Sequence, residues 1–325
     1  MSADIPPKCC PSCKRLGEWP GRLCPACKPA PVAAPDGPLQ PGIYADVPAH
    51  TYHADPSAPS LSASIAKIMC NRSPLHAWER HPRLNPDYRP AEESKFDRGT
   101  AAHALLLEGS DRCAVIDADS WRTNAAKDER DAARAEGRVP LLAHEHEEAC
   151  EMVEAIREQL YGLEVEPPLF TGGAAEQTLV WDERGVRCRA RLDWLRDDRQ
   201  TIDDLKTTGG SADPREWARR RLWDMGADVQ VAMNLRGVKA LTAVEAEFRF
   251  CVVENQAPYG LSVVSLAPSA LELANAKVDW ALDTWRECID TDTWPSYPTE
   301  VAYADVPPWE EMRWLEAHPF VKEAS

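Results

Sequence analysis

The sequence is short of positive charge: 37 lysines and arginines stand against 53 aspartates and glutamates, a formal net charge of −16. Such a chain repels polyanions at long range, so general electrostatic attraction cannot hold it on nucleic acid. Any contact of that kind needs local basic clusters, a narrow site and bridging cations. The sequence also lacks an apolar run approaching the length of a membrane span. Its first residues, MSADIPPK, carry no apolar core of a signal peptide. The expectation is a cytoplasmic chain with no membrane partner. No internal repeat is visible.

What is present points to a real core. Hydrophobic residues make up 44% of the 325 positions, enough for one large domain plus an appendage. Four parts are expected. Residues 1–28 are cysteine-dense, residues 29–41 are too rich in proline for helix or inner strand and form a semi-extended tether, and 42–300 form a globular α/β domain. Residues 301–325 are a tail with a short helix. Apolar residues recur at helical spacing over 62–80, 96–108, 213–240 and 269–288. A polar helical stretch covers 121–160, broken near Gly137 and Pro140. Strand-like segments lie at 177–182, 186–195, 200–206 and 246–254. That order predicts a mixed sheet flanked by helices.

The cysteine-dense segment contains two C-x2-C knuckles, Cys10 with Cys13 and Cys24 with Cys27. Two knuckles complete a tetrahedral four-thiolate site, closed and therefore structural, with Zn2+ as the expected occupant of a zinc-ribbon-like module. Cys9 is a spare thiol or an alternative ligand. Disulfides are the rival disfavoured by a reducing compartment, and an iron–sulfur cluster is a second rival. Cys70, Cys113, Cys150, Cys188, Cys251 and Cys288 are scattered and read as core residues.

The most informative pattern lies in two consecutive strand-like segments. Side chains in a strand alternate faces, so Arg189, Arg191 and Asp193 share one face and Asp204 and Lys206 share another, while Asp203 points away. If those faces meet, two carboxylates and an ammonium converge beside two guanidiniums. Carboxylates that close repel unless a divalent cation or a proton sits between them. Mg2+ suits such a site, with carboxylates, waters and substrate phosphate as ligands. The bland alternative is a solvated strand edge.

The Asp193, Asp204, Lys206 spacing resembles the PD-(D/E)xK nuclease core, in the branch containing the RecB nuclease domain. Further segments, in order, resemble the RecE-type, exonuclease VIII-like exonucleases encoded by phages: PGIYADVP at 41–48, Tyr52 to Asp55, SASIAK at 62–67, Ser73 and Pro74, Gly99 with His103, Trp121 to Lys127, GVRCRARLDW at 185–194, and Asp228 with Gln230. The resemblance covers roughly residues 41–300 and does not reach the cysteine module. It implies a restriction-endonuclease-like α/β fold, Mg2+ or Mn2+ in the active site, and an exodeoxyribonuclease acting on linear double-stranded DNA. Degradation from the 5′ end would leave a 3′ overhang for a single-strand annealing protein. It also implies a homo-oligomer. The alternatives are a flap or overhang nuclease of the same core, and a catalytically inactive zinc-tethered adaptor that binds DNA or protein.

By the same resemblance, His103, Asp193, Asp204 and the Leu205 carbonyl ligate the metal, and Glu176 ligates a second cation or a water on it. As a residue, His103 is otherwise a core histidine and Glu176 a surface acid. Lys206 positions and helps deprotonate the attacking water and offsets charge growing on the phosphate. Gln230 matches the glutamine of the family's Gln-x-x-x-Tyr helix, but the fifth position here is Asn234. Arg189 and Arg191 are read as phosphate clamps or as partners of nearby acids. Arg219, Arg220 and Arg221 are read as a DNA-contacting cluster or a solvated helix face. Asp203 is expected to be dispensable. Ser64 and Lys67 spell a Ser-x-x-Lys motif, but no Ser-Asp-Asn accompanies it, and Ser62, Ser64 and Lys67 are read as a helix start beside the nuclease site.

Overall fold

The computed structural model describes residues 38–45, 47–55, 58–89, 98–109 and 112–318; the expected zinc module lies outside them. The central sheet runs β1 (Gly42–Tyr44), β5 (Gly173–Glu183), β6 (Val186–Arg196), β7 (Thr201–Thr208), β8 (Glu247–Glu254) and β9 (Leu261–Val264), with β2 (Leu61–Ser62) pairing in parallel to β6. β7 and β8 are parallel and the other neighbours antiparallel. The mixed sheet expected from sequence is therefore present.

Both faces of the sheet are covered, and the alternation of β8 shows how. Phe250 and Val252 join a core with α2 (Ala63–Asn71), α9 (Ala227–Thr242) and α10 (Pro268–Thr291). Cys251 and Val253 point the other way, into a core with α4 (Arg98–His103), the π-helical turn Ala104–Glu108 and α6 (Ala143–Gly162). Gly237 lets α9 lie close on β5, since a Cβ there would come within 2.9 Å of the Trp181 ring.

Several boundaries differ from the sequence expectation. Pro140 does not break a helix; it sits in β4 (Val139–Leu142), which pairs in parallel with β3 (Cys113–Ile116) as a separate two-stranded sheet between α5 (Asn124–Ala135) and α6. Proline is tolerated because each strand of a pair is an edge. The helix expected over 213–240 is interrupted. α7 (Pro214–Glu216) passes into a π-helical turn (Trp217–Arg221) and α8 (Leu222–Asp224), and α9 starts only after Gly226, whose φ of 60° is left-handed. Leu39, within the expected tether, is buried against Tyr44 and Tyr52. The tail carries α11 (Pro308–Ala317), with Trp309, Met312 and Trp314 exposed.

Two buried polar knots fix the elements around the site. In the first, Asp55, on the turn after α1 (Ala49–Ala54), pairs with Arg189 of β6 at 2.7 Å and lies 3.3 Å from His81 Nε2. It also accepts the Ser60 N–H and hydroxyl at 2.8 Å each. In the second, Arg249 donates to Asp203 at 2.7 Å and to the Pro167 carbonyl at 2.7 Å, and the Phe170 N–H donates to Asp203 at 2.9 Å. Asp203 does point away from Asp204, but it is fully buried and ties the approach to β5 onto the sheet. Its expected dispensability concerns the chemistry; in the fold it has a task, since removing it would strand a buried guanidinium.

Asp203→Ala should cost about 3–5 kcal/mol, the usual loss on breaking one side of a buried ion pair, and urea denaturation measures it. For Asp55, burial opposes ionisation, but the hydrogen bond with His81, the Arg189 charge and Ser60 outweigh it and hold the carboxyl below its usual range. A carboxyl depressed in the folded state stabilises at neutral pH and loses that contribution as the pH falls through the acid range. Asp55→Asn should therefore lower Tm at neutral pH and flatten its acid limb in a thermal melt series.

Candidate active site

The site forms where β6 and β7 part. Their ladder closes at only two positions, Trp194 with Asp203 and Leu195 with Ile202. Beyond it, the Leu205 N–H donates to the Asp193 carboxylate at 2.9 Å in place of a backbone partner. Asp193 is thereby fixed facing His103, at the end of α4, whose Nε2 lies 3.3 Å away. Glu176 completes the group, with Oε1 3.5 Å from the same nitrogen. Glu176 stands in β5 with φ of 54°, a left-handed backbone inside a strand, between residues 175 and 177 that pair with 194 and 192. One ligand atom from each of His103, Glu176 and Asp193 falls within 4.8 Å of the others.

Asp204 and Lys206 lie on the opposite face of β7 from Leu205, as alternation requires. Lys206 Nζ pairs with Asp204 Oδ1, and Gln230, in the first turns of α9, donates to Asp204 Oδ2 at 2.6 Å. Asp204 is 1% exposed. It stands beside the three-residue cluster and is not one of its members.

The electrostatics follow from crowding acids in a dry place. Burial, and then repulsion from Asp193, push the Asp204 carboxyl up to about 6. Burial alone would lower His103, but the carboxylates of Asp193 and Glu176 outweigh it and raise the imidazole to about 9. Burial opposes ionisation of Asp193 too, and His103, Lys206 and the Leu205 N–H reverse it. Burial raises Glu176, against the pull of Arg191. Lys206 is held charged: burial disfavours its ammonium, yet Asp204 and Asp193 raise it above the usual lysine range. In the resting site it is an electrostatic donor. Lys67, on α2, is lowered by burial and then by Lys206. Its place beside the site agrees with the helix-start reading, and Ser62 caps α2 by accepting the Ile65 N–H at 3.2 Å.

A divalent cation fits these residues. Carboxylates with one imidazole form a hard-donor set suited to Mg2+ or Mn2+, and a cation there would offset the mutual repulsion of the acids. His103, Glu176 and Asp193 are placed to hold it, with Asp204 alongside.

Arg189 and Arg191 face the same way as Asp193 but are committed to protein. Arg189 is 6% exposed and tied to Asp55 and Ser60. Arg191 pairs with Glu176. Their geometry matches the acid-pairing role. Arg219, Arg220 and Arg221 are exposed, and Arg220 bonds Asp224 at 3.2 Å. Asn234 is 1% exposed, one turn beyond Gln230 on the same helix. Sequence reasoning picked out Asp228 but missed its buried pairing with Lys277 at 2.6 Å, and it missed the Ser60 and His81 supports of Asp55. Their partners are distant in sequence, and no local spacing signals them.

A mixed sheet with strands that part around Asp193, Asp204 and Lys206, covered by helices on both faces, defines a PDDEXK-like domain. No curated protein matches the chain. Residues 62–307 match the family described as "PDDEXK-like domain of unknown function (DUF3799)", and the chain belongs to that family. Its fold is similar to the crystal structure of a protein from Eubacterium rectale described as "Putative exonuclease", with a TM-score of 0.53 and 12% identity, covering 84% of this chain and 98% of that one. At that identity the likeness is one of fold.

Mn2+ should raise Tm, because a ligand binding only the folded state stabilises by about 2.7 kcal/mol at a hundred times its Kd. A melt series in wild type, Asp193→Asn and His103→Ala checks this: the rise should be lost or sharply reduced in both variants.

Proposed function

We propose that this chain is a metal-dependent exodeoxyribonuclease of the RecE type, hydrolysing linear double-stranded DNA from the 5′ end to leave 3′ overhangs for a single-strand annealing protein. The observation that carries the nuclease reading is the convergence of His103, Glu176 and Asp193 within 4.8 Å, beside an Asp204–Lys206 pair. The ordered motifs from residue 41 onward support the finer RecE-type assignment. The zinc module held by Cys10, Cys13, Cys24 and Cys27, the tether at 29–41, a homo-oligomeric assembly and a cytoplasmic location complete the proposal.

Each residue then has a task. His103, Glu176, Asp193 and Asp204, with the Leu205 carbonyl, hold Mg2+ or Mn2+. The bound cation would withdraw charge from the scissile phosphate and make water a better nucleophile. Gln230 orients the Asp204 carboxylate. Lys206, kept protonated by Asp204 and Asp193, lies ready to hold the attacking water and to stabilise negative charge on the phosphoryl oxygens. The exposed Arg219, Arg220 and Arg221 contact the DNA backbone, giving an acidic protein a local cationic face.

Digestion of linear duplex labelled at one 5′ or 3′ end, with Mg2+ or Mn2+ and a closed circular control, tests the proposal. Early loss of 5′ label, absent on the circle and abolished in Asp204→Ala, is expected. Lys206→Met should slow cleavage by about 10²–10³-fold, as for other electrostatic donors. Absence of cleavage by folded, metal-supplied wild type would overturn the nuclease reading, and early loss of 3′ label would overturn the polarity.

A further inference from the structure

We propose that Arg191 is a positioning residue for the metal site, aimed by the Tyr52 ring, and not a contact for substrate phosphate. The inference rests on reading His103, Glu176 and Asp193 as a divalent-cation site. Arg191 Nε bonds Oε2 of Glu176. That leaves Oε1 as the oxygen turned toward His103, 3.5 Å from Nε2. One guanidinium thus decides which face of the Glu176 carboxylate the cluster sees. Without it, a half-buried carboxylate opposite Asp193 would be free to rotate away from a like charge.

What aims Arg191 is the Tyr52 ring, which it shares with Arg189. Its guanidinium carbon lies 5.9 Å from the centroid of the Tyr52 ring, and that of Arg189 lies 5.3 Å from the same ring. Arg189 cannot move, because Asp55 and Ser60 hold it in the buried knot. Tyr52 is buried as well. Arg189, fixed in its knot, and Arg191 therefore share one buried aromatic ring, and Arg191 goes on to meet the metal-facing carboxylate. Lysine at 191 would keep the charge and lose both the planar fork and the stacking. Arg191 is itself only 15% exposed on its side chain, and turning to a phosphate would release Glu176 beside another acid.

Residues that orient metal ligands typically cost about 10–100-fold in metal affinity when removed, and Arg191→Met should fall in that range. The experiment is titration of the full chain with Mn2+, free Mn2+ being read by electron paramagnetic resonance. DNA affinity is measured in parallel in EDTA. Arg191→Lys should bind Mn2+ more weakly than wild type, Tyr52→Leu likewise, and Tyr52→Phe, which keeps the ring, should restore wild-type binding. DNA affinity without metal should be unchanged in all of them. Circular dichroism confirms folding, and Arg191→Lys decides the matter should Arg191→Met not fold. If Asp193→Asn loses Mn2+ while the folded Arg191 variants bind it as wild type does, the positioning role is overturned and the metal site stands. If DNA affinity falls and Mn2+ affinity holds, Arg191 is a phosphate clamp. If wild type binds no Mn2+, or Asp193→Asn binds it equally well, the cluster is not a cation site and the proposal falls with it.

Discussion

The site depends on one hydrogen bond, from the Leu205 N–H to the Asp193 carboxylate. Adjacent antiparallel strands normally satisfy each other's backbone along their length. β6 and β7 do so at two positions and then diverge. Divergence would leave an amide without a partner in a dry interior, and the Asp193 side chain takes that place. The same contact fixes the carboxylate toward His103, so the repair of the ladder and the construction of the cluster are one event. On one face of β7, α9 delivers Gln230 to Asp204.

An acidic chain has built this site by spacing cations among its acids. Arg191 answers Glu176, His103 answers Asp193, and Lys206 answers Asp204. The balance is incomplete: Asp204 is still raised, by burial first and then by its acidic neighbour. The residual repulsion is a reason for a small divalent ion to enter in spite of its dehydration cost. Net charge therefore says little about this site, because the fields that matter act over a few ångströms between partly buried groups.

The parts of the site that follow from period two were legible in the sequence. Asp193, Asp204 and Lys206 are separated by short, regular spacings within consecutive strands, so alternation alone places them. The PDDEXK-like fold was legible from the ordered motifs. What was not legible is long-range pairing. Asp203 looks like a spare acid until Arg249 and the Phe170 N–H are brought to it from 46 and 33 residues away. Arg189 carries two readings until Ser60, 129 residues distant, meets it in space. β3 and β4 hid behind Pro140, whose ordinary meaning in a helical pattern is a break. The four cysteines of the N-terminal module lie outside the described residues.

Glu176 carries a further consequence. Its left-handed backbone within a strand is a conformation that glycine adopts freely and an L-residue holds at roughly 1–2 kcal/mol. Glycine at 176 would relieve that cost but would leave the Arg191 guanidinium, only 15% exposed, without its partner. The strain at 176 is thus held in place by the ion pair it allows, so the position is locked from two sides. Relaxing the backbone there takes a second change at 191, and a chain that drifts toward an easier fold must lose both residues together.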